Sequence, residues 1–135
     1  MSTTAVILII VAAVVLLVLI SLIGRAKPKC IDKQYFKNEW ADIIALQKDY
    51  KTRPMCLIKA DKLLDEALKG SGYHGETMAE RLVSAKNHLK DRDRVWAAHK
   101  LRNKLVHESL FEPSEKEVKL ALEHYRKAFK DLGVF

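Results

Sequence analysis

The sequence predicts an all-α protein: an N-terminal transmembrane helix followed by an up-and-down bundle of four to five helices. Three observations carry this. Ala5 to Ile23 is an uninterrupted apolar run in which Ser21 is the only polar residue. Beyond it, apolar residues recur at three- and four-residue spacing, and no stretch alternates with the period of a strand. Pro54, Gly70, Gly72, Gly75, Pro113 and Gly133 all fall at or between the ends of the periodic stretches.

At 1.5 Å per residue the apolar run is about 28 Å long, close to the hydrocarbon thickness of a bilayer. A cleaved signal peptide would need a basic start, a core of about 7–15 residues and a small-residue cleavage site. Met1-Ser-Thr-Thr carries no base, the core is too long, and Gly24-Arg-Ala-Lys-Pro-Lys offers no clean site. No Lys or Arg precedes the span, whereas Arg25, Lys27, Lys29 and Lys33 follow it. The positive-inside rule therefore places the N-terminus outside and the C-terminal domain in the cytoplasm, at the plasma (inner) membrane. The predicted organisation is a membrane anchor over 1–24, a basic juxtamembrane linker over 25–32 punctuated by Pro28, and a helical bundle over 33–135.

Helices follow in order along the soluble part. The first spans about Lys33 to Asp49, with Phe36, Trp40, Ile43 and Ile44 at helical spacing. Arg53-Pro54 opens the second, because proline suits a helix's first turn. It carries Leu57, Ile58, Leu64 and Leu68, and Gly70-Ser-Gly72 stops it. The third runs from about Glu76 to Leu89, with Met78, Leu82, Val83 and Ala85. The fourth covers about Asp93 to Glu108. Pro113 marks a turn, and Ser114 with Glu117 forms a capping box for the last helix, which continues to about Leu132. Short loops make successive helices antiparallel.

Composition narrows the function classes. Residues 1–24 contain no charged side chain, so the net charge of +7 sits on the remaining 111 of the 135 residues. Acidic and basic residues are interleaved, which excludes a polybasic tail. A moderately basic domain beside a membrane suits anionic lipid, nucleic acid or simply a solvated surface. Two cysteines, Cys30 and Cys56, are too few for a disulfide framework and match no zinc spacing, in keeping with a reducing compartment. Cys56 reads as a buried small hydrophobe and Cys30 as an inert juxtamembrane thiol. There is no nucleophile elbow, Walker loop, dinucleotide-binding glycine string or His-Glu-x-x-His. His99 and His107 lie about 12 Å apart along one helix, too far to share one ion. No metal and no cofactor is expected.

The string from Trp96 to Glu108 carries the candidate chemistry. On a helical wheel Val95, Ala98, Leu101 and Leu105 form an apolar stripe. Trp96, Asn103 and His107 fall within about 40° of one another, with His99 beside them. Arg102 lies about 20° from Val95 at the edge of that stripe. A guanidinium there is either partly buried with partners or directed into a groove.

Arg102-Asn103-x-x-x-His107 resembles the signature of HEPN domains, an all-helical superfamily whose motif is Arg, a polar residue (often Asn), and His after four to six intervening residues. The motif sits near the end of the penultimate helix with one capped helix after it, as in that superfamily. Lys59-Ala-Asp-Lys-Leu-Leu-Asp-Glu-Ala-Leu68, a Gly-containing loop and Thr77-Met-Ala-Glu-Arg-Leu82 resemble the first half of such domains. The resemblance covers about residues 33–132.

The resemblance implies a metal-independent endoribonuclease. His107 would help activate the ribose 2′-hydroxyl, whose attack on the adjacent phosphate leaves a cyclic phosphate end. Arg102 would bind the phosphate and stabilise its developing charge. Asn103 would orient one of these groups, and Trp96 and His99 would line the binding surface. The 2′-hydroxyl requirement makes RNA the substrate. Residues five apart on a straight helix point about 140° from each other, so either the helix unwinds near Val106 or two chains contribute. A homodimer is the expected solution. Two alternatives stay open: a non-catalytic HEPN-like nucleotide-binding or regulatory module tethered to the membrane, and an unrelated interaction bundle in which the Arg–Asn–His string is structural.

Overall fold

A computed structural model describes residues 2–23 and 31–135, the side chains of 21–23 excepted. The expected basic linker, with Arg25, Lys27, Pro28, Lys29 and Cys30, lies for the most part outside the described residues. Among the described residues the protein is entirely helical: α1 Thr3–Ile23, α2 Lys33–Ala45, a 3-10 turn Leu46–Lys48, α3 Arg53–Gly70, α4 Met78–Ser84, α5 Arg92–His107 and α6 Glu115–Asp131. α1 is long and apolar enough to cross a membrane. The rest of the protein does not bury its Thr3–Ile20 window, unlike the core helix of a soluble fold.

Local chemistry explains the helix ends. The Asp32 carboxylate accepts from the Gln34 and Tyr35 amides at 3.0 and 3.1 Å, capping α2. Pro54 sits in the first turn of α3. α3 closes as a Schellman motif: Tyr73 N–H donates to the Leu68 carbonyl and Gly72 N–H to that of Lys69, with Gly72 at φ 85°. α6 ends the same way, with Gly133 at φ 69° and Val134 N–H donating to the Phe129 carbonyl. The following residue, Val134, is fully buried, so the turn also plugs the core. The Ser114–Glu117 capping box is present as expected.

The third helix is shorter than its apolar spacing suggests. Thr77 accepts from the Glu80 amide and becomes the N-cap, so α4 starts at Met78. It runs for seven residues, and the chain then turns with Lys86 N–H on the Val83 carbonyl and His88 N–H on that of Ala85. These turns still bury Ala85 and Leu89. The first helix is also modified: α-helix gives way to the 3-10 turn after Ala45, and Thr52 Oγ1 donates to the Leu46 carbonyl at 2.7 Å.

Specific contacts fix the directions of the helices. Cys56 Sγ donates to the Ile43 carbonyl, and Ile31 lies against Gly70, so α2 and α3 are antiparallel. Arg53 pairs with Glu115, and Asp61 bonds Tyr125, so α3 and α6 run parallel. α5 is antiparallel to both: the Lys90 amide at its start donates to Asp131 at the end of α6. Leu57, Leu64 and Leu68 from α3 and Tyr125 and Phe129 from α6 are wholly enclosed. Phe129 also stacks on Phe135 and meets Phe36 and Trp40 of α2 edge-on or tilted. Arg81 is buried against Asp65, with Nε at 2.5 Å and Nη2 at 3.0 Å from the two oxygens, and this bidentate pair fastens α4 to α3.

His124 introduces a pH dependence. It is buried on α6 with Nδ1 lacking a partner, near Arg94 of α5, Asp91 just before α5, and Glu123 and Lys127 of its own helix. Burial, and then the charge of Arg94, hold its pKa below the ordinary 6.5. The unfolded chain therefore binds a proton that the folded chain refuses, and stability falls as pH drops through that value. Denaturant midpoints measured from about pH 7.5 to about pH 5 should decline, and His124→Leu should flatten the decline.

Candidate functional site

A closed polar network crosses the middle of the bundle where α3, α5 and α6 meet. Its centre is Asp61, an acid on the same face of α3 as Leu57, Ala60 and Leu64 and 1% exposed. Tyr125 Oη of α6 donates to Asp61 Oδ1 at 2.9 Å, and His99 Nδ1 of α5 lies 2.8 Å from the same oxygen. Burial, reinforced by the Asp61 charge, raises the Tyr125 pKa well above 10, so its phenol remains a donor.

The second oxygen of Asp61 faces Arg102, whose Nε is 3.1 Å away. This is an ion contact without hydrogen-bond alignment, and Nε has no other partner. Arg102 Nη1 donates to Asn103 Oδ1 at 2.8 Å, which turns the Asn103 amide nitrogen toward His99 Nε2 at 3.2 Å. Arginine has no acceptor, so the chain of donors has one direction. Asn103 Nδ2–H must point at an unprotonated Nε2, and the His99 proton sits on Nδ1, facing Asp61. Hydrogen bonds thereby join Asp61, His99, Asn103 and Arg102 in a chain, and the ion contact of Arg102 Nε with Asp61 closes it into a ring.

Of the residues singled out in the sequence, the structure brings together His99, Asn103 and Arg102. Trp96 stands beside them, its ring 5.9 Å from that of His99. His107 is not among them. It is the last residue of α5 and is exposed. α5 is regular through Val106, so no local unwinding turns His107 toward Arg102 within one chain. Val106 and Leu110 beside it expose apolar side chains, Leu110 at 96%. Arg102 remains about a quarter exposed, so the rest of its guanidinium can reach a ligand.

Sequence reasoning missed Asp61 and Tyr125. A signal for the first existed: a carboxylate in register with Leu57, Ala60 and Leu64 on an apolar face requires a buried partner. Tyr125 reads as one more apolar-stripe residue, and nothing in its spacing reveals where its hydroxyl goes. Among the described residues no cluster of three or more His, Cys, Asp or Glu could hold a metal ion.

Comparison with protein-family models, with curated proteins and with solved structures finds no match for this chain.

Proposed function

We propose that this protein is a membrane-anchored, HEPN-like endoribonuclease that works without metal, as a homodimer with its catalytic domain in the cytoplasm. The observation that carries this reading is the presentation of Arg102. Asp61 and Asn103 hold its guanidinium in one pose while part of it stays exposed, as pre-organised recognition of a phosphate demands. His107 of a second copy would take the proton of the ribose 2′-hydroxyl as that oxygen attacks phosphorus. The bond to the 5′ oxygen breaks, that oxygen takes a proton from water, and a 2′,3′-cyclic phosphate remains. The exposed Val106 and Leu110 beside His107 suit a contact between copies that would bring His107 to the other chain's Arg102.

One observation favours a second reading. Asp61 already balances the charge of Arg102, and Asn103 occupies the free nitrogen of His99, so the network is complete without substrate. A non-catalytic nucleotide-binding or regulatory module would have this closed form. Incubating the purified full chain with a broad RNA pool in the presence of EDTA separates the two. Cleavage to cyclic phosphate ends supports the nuclease. Intact RNA with a well-folded dimer supports the binding module.

A further inference from the structure

We infer that the α4–α5 corner of the bundle is a docking surface for an anionic phospholipid bilayer. The inference rests on the reading of α1 as the anchor with the bundle facing the anionic leaflet.

The chain enters the bundle at Ile31, against Gly70 at the end of α3. Phe36 near the start of α2 packs on Phe129 near the end of α6, and the Lys90 amide before α5 bonds Asp131 at the end of α6. These contacts place the start of α5 at the same end of the bundle as the chain's entry. His107, Arg53 and Glu115 belong to the opposite end. Eight residue steps separate Ile23 from Ile31, and a fully extended chain covers at most about 28 Å over that distance. The α4–α5 end is thus held near the bilayer whatever path the chain takes.

That end has the surface chemistry of a lipid interface. Leu82, Val83, Leu89 and Trp96 line a cleft of about 380 Å³ rimmed by Lys86 and Arg92. Val83 is 58% exposed at its edge. Half-buried tryptophan beside apolar side chains is the composition favoured at a membrane–water boundary. A second depression shares Lys86 and Arg92 and adds Lys90 and Arg94. Three carboxylates accompany these four cations: Asp91, half-buried, Asp93, which touches Arg92 at 3.4 Å, and Asp131, which accepts from the Lys90 amide. Among the described residues Lys86, Lys90 and Arg94 make no ion pair. The tether's reach lets this end meet the leaflet, and Lys and Arg that come within a Debye length of an anionic leaflet are attracted to it.

The test is amide hydrogen exchange on the full chain in nanodiscs, with zwitterionic lipid alone or with added phosphatidylserine. Retention of the chain in both discs checks the anchor; a chain that washes out of both overturns the anchoring reading and the docking with it. The expected result is several-fold slower exchange around residues 83–94 in the anionic discs only, reversed by high salt and by the double variant Lys86→Glu, Arg92→Glu. Equal exchange in the two discs, with the chain retained, overturns the docking alone. Protection produced by soluble glycerophosphoserine without anionic bilayer also overturns it, in favour of a free-anion site.

Discussion

Asp61→Ala is expected to be the most damaging single substitution in the bundle. It removes the one acceptor shared by Tyr125, His99 and Arg102, and leaves a buried phenol, a buried imidazole N–H and a half-buried guanidinium without their partner. Breaking a buried pair from one side costs about 3–5 kcal/mol, because the remaining charge stays desolvated. Against the total stability of a small domain that is enough to unfold much of the population at 37 °C. Asp61→Asn keeps the shape and one acceptor oxygen but loses the charge facing Arg102, so it should fall between the wild type and the alanine variant. Thermal or denaturant unfolding of the three proteins checks the order. Unchanged midpoints for Asp61→Ala would mean that the network contributes nothing to the fold.

The second large effect separates two histidines of one helix. Under the nuclease reading, His107→Ala should lower RNA cleavage about 10²–10⁴-fold, the usual contribution of a general base. It should leave the melting temperature unchanged, because an exposed side chain without a partner contributes little. His99→Ala should do the reverse at the level of the fold. It deletes a buried ring held by Asp61 and Asn103 and costs about 1–3 kcal/mol. Mixing His107→Ala chains with Arg102→Ala chains tests the shared site directly: activity should return in the mixed dimer, where one site regains both residues. Cleavage unaffected by His107→Ala would remove that residue from the mechanism.

Asp61 also changes the sense of the wheel position of Arg102. From the sequence, Arg102 at the edge of the apolar stripe is either partnered or directed outward. In the fold it is both: Nε faces Asp61 while part of the group remains in solvent. The same applies to His99, which sequence reasoning places on a binding surface. It is 6% exposed, and its role in the structure is to connect Asp61 to Asn103 and so to fix the side chains that present Arg102. Asn103 accepts from Arg102 Nη1 through Oδ1.

The sequence by itself determined what depends on neighbours in the chain. The apolar run of α1, the five helices of the bundle, the capping box at Ser114, and the stops at Gly72 and Gly133 all follow from spacing, propensity and bonds between residues a few positions apart. The limits of α4 were less legible, because its apolar spacing continues through Ala85 and Leu89 while the backbone has already left the helix; helix and tight turns bury the same side chains there. Only the tertiary structure decided the site. Asp61 and His99 are 38 positions apart, and Asp61 and Tyr125 are 64 apart. Their meeting depends on α3 lying parallel to α6 with α5 against both, and a helical period says which side of a helix is buried but not which residue faces it from another helix.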